Sequence, residues 1–128
     1  MTKIDVIKRW KESGRKNFDV ARDMMKLGHY DWALFMGQLA LEKLLKGLVV
    51  KRTGKLPPPV HNLVQLAKAA RLSFDTNKTA NLTTITRFHI VARYDDVKYE
   101  FYKEATESYA EKWVKIIEEY FVWIQKLY

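Results

Sequence analysis

The stretch WALFMGQLALEKLLKGLVVKR, Trp32 to Arg52, decides the fold. It is apolar nearly all the way round, which predicts a helix buried on most sides. Four polar residues interrupt it: Gln38, Glu42, Lys43 and Lys46. Gln38, Glu42 and Lys46 stand at i, i+4 and i+8, so an amide, a carboxylate and an ammonium share one face. That stripe is either where the helix meets water, or the lining of a polar groove or subunit contact.

On the N-terminal side, residues 3–27 read as an amphipathic helix. Ile4, Ile7, Gly14, Phe18, Ala21 and Met25 recur at helical spacing. Gly14 falls on the apolar face, where glycine costs about 1 kcal/mol against alanine. Close approach by another helix, or a kink, would explain it. Gly28 supplies a stop, and Asp31 is the expected N-cap of the central helix. So short a connection sets the first two helices antiparallel as neighbours.

On the C-terminal side, Thr53-Gly54 ends the central helix, and Pro57-Pro58-Pro59 makes a stiff extended segment. His61 or Asn62 is expected to cap a short third helix carrying Leu63, Leu66 and Ala70. Asp75 or Thr76 would cap a fourth over residues 76–91, with Leu82, Ile85, Phe88 (or His89) and Ala92 as its stripe. Threonine-rich TTITRFHIV could also be a strand, but no pairing partner exists elsewhere in the chain. Arg93 to Asp96 reads as a break. A long last helix from about 98 to 128 then carries Tyr109, Trp113, Ile116, Tyr120, Ile124 and Leu127. The expected architecture is all-α: an up-and-down antiparallel bundle of four long helices plus one short one, as a single domain over 1–128.

Composition fits that plan. A chain of 128 residues with 48% hydrophobic residues is long enough for one core and too apolar for disorder. There is no cysteine, so disulfides and thiolate metal sites are excluded. No signal peptide is visible, and the charges within 32–50 would be costly in lipid. The expected location is cytoplasmic, without membrane contact. The net charge of +8 permits contact with phosphate, but the charge is spread. Its densest cluster, Lys43, Lys46, Lys51, Arg52 and Lys55, also suits a solvated helix C-terminus.

Familiar catalytic signatures are missing: no Gly-rich phosphate loop, nucleophile elbow or His-Glu-x-x-His helix occurs. His29, His61 and His89 lie in separate segments without ligand spacing, so neither a metal site nor a cofactor is expected. Arg22 and His29 have six residues between them, and Arg87 and His89 one.

Three motifs in order give the chain a resemblance. Tyr30-Asp31-Trp32-Ala33 opens the central helix and is followed by Gln38, Glu42, Lys43 and Lys46 in a Q-x-x-x-E-K-x-x-K pattern. Pro59, His61, Leu63 and Leu66 form a proline followed by His-x-Leu-x-x-Leu. Arg93, Tyr94, Asp95 and Asp96 match an Arg-Tyr-Pro-Asp element, with Asp95 where proline is usual. Together they resemble a HEPN domain (higher eukaryotes and prokaryotes nucleotide-binding) over nearly the whole chain.

The resemblance implies a compact helical bundle that often dimerises, and a place beside a minimal nucleotidyltransferase in a toxin–antitoxin-like pair. Some such domains are metal-independent ribonuclease toxins with an Arg-x(4–6)-His motif; others bind nucleotides or nucleic acid. This chain resembles the branch without a clear motif. If it cleaved RNA, Arg87, His89 and Arg93 would be the residues to carry it. Read as a binding module, it would hold phosphate with Lys43, Lys46, His61 and Arg93, along a polar seam containing Gln38, Glu42, Tyr94 and Asp96.

Each residue also has a structural reading. Gln38 and Glu42 would bond neighbouring helices, and Lys46 would pair with Glu42. His61 would cap or brace a turn. Arg93 would either clamp a phosphate or pin its loop to Glu42 or Asp96. Tyr94 would sit in the core with its hydroxyl at the edge. Phe101, Tyr102, Trp123 and Tyr128 are surplus to the last helix's stripe and suggest a homodimer surface; base stacking on them is the weaker alternative, because no Lys/Arg–aromatic interleaving surrounds them in the sequence. A third reading is a purely structural interaction domain.

Overall fold

A computed structural model describes the backbone of residues 1–128 and every side chain except those of Asp95 and Asp96. The chain folds into six helices: α1 (Lys3–Lys26), α2 (Tyr30–Thr53), α3 (Leu63–Ala69), α4 (Thr76–Val91), α5 (Asp95–Glu104) and α6 (Glu107–Gln125). No strand occurs among the described residues, and TTITRFHIV is helical.

The single long last helix expected from the apolar pattern is in fact two. Ala105 leaves helical geometry, and Thr106 restarts the chain as an N-cap whose Oγ1 accepts from the Tyr109 amide at 3.3 Å. Other ends follow local chemistry. Thr2 and Asp5 form a reciprocal capping box at α1. Asn62 caps α3 and Asp75 caps α4 through their side-chain oxygens. Asp31 does not cap α2. The N-cap is His29, without a side-chain bond, and Asp31 lies buried in the first turn, where the helix dipole favours a carboxylate. Gly28 and Gly54 take left-handed φ of 78° and 71°, ending α1 and α2.

Helix α2 is the core element, with Leu34, Leu41, Leu44, Leu45 and Leu48 fully buried. Helix α1 packs along it, and α6, α4 and α3 close the remaining sides. Gly14 marks a close approach: a Cβ there would stand 3.1 Å from the Ala40 carbonyl oxygen. Close helix contact is therefore what Gly14 is for. Across the bundle, Phe18 stacks on Phe121 at 4.9 Å, and Phe88 is enclosed by Phe101, Tyr109 and Trp113.

Those packings dissolve the expected dimer surface. Phe101 is core, Trp123 is half-buried against Tyr120, and Tyr128 folds back to donate its hydroxyl proton to the Leu44 carbonyl. Only Tyr102 of that set is exposed. Burial also pushes the Tyr128 phenol well above its ordinary range. No described helix is long and apolar enough to cross a membrane.

Candidate functional site

The polar stripe of α2 does not meet water. Gln38 is 0% and Glu42 4% exposed, and burial of that depth requires partners. Glu42 has three. Lys46 Nζ, one turn on, donates to Oε2 at 3.0 Å. Gln38 Nε2, one turn back, donates to Oε1 at 3.1 Å and also to the His61 carbonyl at 3.1 Å. His61 Nδ1 lies 3.0 and 3.1 Å from the two carboxylate oxygens. An ionised carboxylate only accepts, so Nδ1 carries the imidazole proton and Nε2 is left for other use. His61 is therefore not a cap; Asn62 takes that role and leaves the imidazole to reach α2.

The orientation of the Gln38 amide follows from these bonds. Reversing it would set an amide oxygen against a carboxylate. As placed, its Oε1 is buried without a hydrogen-bond partner. Burial alone would raise the Glu42 carboxyl, but the bonds from Lys46, Gln38 and His61 outweigh it and hold the group below its ordinary range.

His89, from the last turns of α4, completes the cluster. Its ring stacks on His61 with centroids 3.9 Å apart and planes at 21°. It is buried, with Phe35 beyond it at 5.6 Å. Burial lowers its basicity, and the nearby His61 and Arg93 lower it further, which favours the neutral imidazole. Arg93 follows one turn later. Its Nε donates to the His89 carbonyl at 3.1 Å, and its guanidinium lies over the rings of Phe35 and Tyr94, each at 5.7 Å.

Four expected residues thus come together: Gln38, Glu42, Lys46 and His61. Arg93 joins them through His89, pinned to that residue's carbonyl and not to Glu42. Tyr94 is no part of the seam: it is the N-cap residue of α5 and is 55% exposed. Asp96 lies outside the described side chains. Lys43 points elsewhere, donating to Ser13 Oγ at 2.8 Å across the α1–α2 contact. Arg87 is held in a two-pronged pair with Glu104, at 3.3 and 3.0 Å. Arg22 pairs with Glu118. Arg52, from the basic cluster, satisfies the carbonyls of Ala70 and Arg71 at the end of α3.

The residue missed in the seam is His89. Helical spacing left Phe88 and His89 as alternatives for the core stripe. Phe88 took the apolar core, which turned His89 towards His61. A histidine just before an arginine-containing break was the available signal.

Glu42, His61 and His89 offer ligand atoms within 4.8 Å of one another, so histidines distant in sequence are neighbours in space. A carboxylate with two imidazoles can hold a transition metal. Here, however, the two rings lie face to face, so their in-plane lone pairs run side by side and do not converge. Lys46 occupies one carboxylate oxygen. With one carboxylate against Lys46 and Arg93, the local balance is positive and suits an anion better than a cation.

Comparison with known proteins agrees with this architecture. The HEPN domain matches residues 7–127, and the chain belongs to the HEPN domain family. It is similar to the crystal structure of TT1696 from Thermus thermophilus, with TM-score 0.81 and 24% identity, over 95% of this chain and 98% of that one. It is also similar to ST0689, an archaeal HEPN homologue, with TM-score 0.72 and 24% identity, over 94% of this chain and 95% of the other. No curated protein sequence matches the chain.

Proposed function

We propose that the seam between α2, the His61 loop and the end of α4 is an anion site. It takes the phosphate of a nucleotide or nucleic acid, and the chain acts as a non-catalytic HEPN module. The observation that carries this reading is the chain of contacts Lys46–Glu42–His61–His89–Arg93. It gathers two cations and two imidazoles about one buried carboxylate. Arg93 supplies a planar fork for phosphate oxygens. Lys46 supplies a point charge, and His61, oriented by Glu42, a hydrogen bond from Nε2 when protonated. Lys43 has no place in the site as folded.

Calorimetric titration with inorganic pyrophosphate at low salt tests it. Saturable binding is expected, weakened by added salt and by Arg93→Ala or Lys46→Ala. No binding at low salt would overturn the reading. The homodimer, and a nucleotidyltransferase partner in a toxin–antitoxin-like pair, belong to this proposal through the family alone. Sedimentation of the free chain, and co-purification with such a partner, test them.

A ribonuclease working through Arg87 and His89 finds less support. Arg87 is paired with Glu104, and His89 is buried behind His61. RNA incubated with the protein should remain intact.

A further inference from the structure

Beside the anion site lies a surface that the phosphate reading does not use. Trp32, Tyr94, Tyr99 and Tyr102 are all exposed. They gather where the start of α2, the end of α4 and α5 meet. The aromatic surface is continuous with the site. His89 faces Phe35, Phe35 meets Trp32 edge-on at 5.7 Å, and Arg93 lies over both Phe35 and Tyr94.

Cations sit among these rings. Lys98 Nζ is 4.9 Å from the Trp32 ring and Lys103 Nζ 4.9 Å from that of Tyr99. A groove of about 270 Å³ runs between Asp31, Lys98, Tyr99 and Tyr102. Its Asp31 carboxylate repels phosphate, so this groove does not extend the anion site. It suits a neutral, flat, hydrogen-bond-donating group.

We infer that Trp32 and Tyr94 form a stacking shelf for the nucleobase of the nucleotide whose phosphate sits at Lys46, His61 and Arg93. The inference rests on the phosphate reading and adds the second half of the ligand. Interleaved cations and exposed rings are what binds bases beside a phosphate backbone, because every base offers a π-face. A partner protein covering the same rings would have to bury the cations beside Trp32, Tyr94 and Tyr99, at a desolvation cost.

Parallel titrations with ADP and with inorganic pyrophosphate, which share a diphosphate and differ in the base, test the shelf. ADP is expected to bind roughly tenfold tighter than pyrophosphate and to quench tryptophan emission, whereas pyrophosphate binds without quenching. Trp32→Ala and Tyr94→Leu should each weaken ADP about tenfold and leave pyrophosphate unchanged, while Tyr94→Phe retains wild-type affinity. Arg93→Ala should weaken both ligands. If pyrophosphate binds but ADP is no tighter and is indifferent to Trp32 and Tyr94, the shelf is overturned and the anion site stands. If neither ligand binds, both fall. If Trp32→Ala instead halves the sedimenting mass, a second copy covers the rings and the shelf is overturned.

Discussion

Glu42 is the residue on which the polar seam depends. A carboxylate 4% exposed in the middle of the core helix is tolerable only because Lys46, Gln38 and His61 all donate to it. Replacing it with alanine strands those donors, and a loss of about 1–3 kcal/mol in unfolding free energy is expected by urea titration. Acid should destabilise the fold in two stages. His89 has its basicity lowered in the fold, so the unfolded chain takes up a proton first, and stability falls as pH drops below about 6.5. Glu42 is held below its ordinary range. Its contribution is present above about 4.5 and is lost as pH falls through the lowered folded value. Melting curves across pH should show both stages, with His89→Asn flattening the upper one and Glu42→Gln the lower. Of these residues, Gln38, Glu42 and Lys46 were legible from their i, i+4, i+8 spacing. The contact from His61 was not, because a residue before a helix start can cap or can turn away, and only Asn62 taking the cap frees it. Tyr94 was misplaced for a related reason: an aromatic in a break carries no periodicity to say which way it faces.

At the level of elements, the α5–α6 break shows where periodicity misleads. Phe101, Ala105, Tyr109 and Trp113 follow one another at i+4, so the apolar stripe runs through the break without a fault. The interruption is visible only in Thr106, which caps α6. Thr106→Ala should cost roughly 1 kcal/mol, measurable as a lower urea midpoint with unchanged slope. Helix α2 makes the complementary point. Its nearly uniform hydrophobicity announced burial on all sides, and the structure buries it. Its glycines were not explained by pattern at all. A Cβ on Gly47 would collide with the Tyr128 hydroxyl and stand 2.6 Å from Trp10 Cβ. Tyr128 can swing aside, but Trp10 Cβ moves only with the backbone of α1. Gly47→Ala is therefore expected to cost about 1–3 kcal/mol through overpacking, again by urea titration.

For the whole molecule, the all-helical plan was readable because hydrophobic period, caps and three ordered motifs agree. What remained hidden was proximity. His61 and His89 look unrelated along the chain, yet the loop before α3 and the end of α4 meet at α2 and stack the two rings. The net charge of +8 was equally uninformative until geometry separated its parts. Arg87, Arg22, Arg52 and Lys43 are each bonded to groups away from the seam, whereas Lys46 and Arg93 are bonded to the seam's own Glu42 and His89. On the proposed reading this seam, and not the spread positive charge, receives phosphate. Its most direct test is a histidine-detected NMR titration with inorganic pyrophosphate, since the three histidines report separately. The ring signals of His61 and His89 should shift together and saturably, with His29 unmoved and the response lost in Arg93→Ala. Equal drift of all three, or no shift at His61 and His89 when pyrophosphate is bound, would contradict the account.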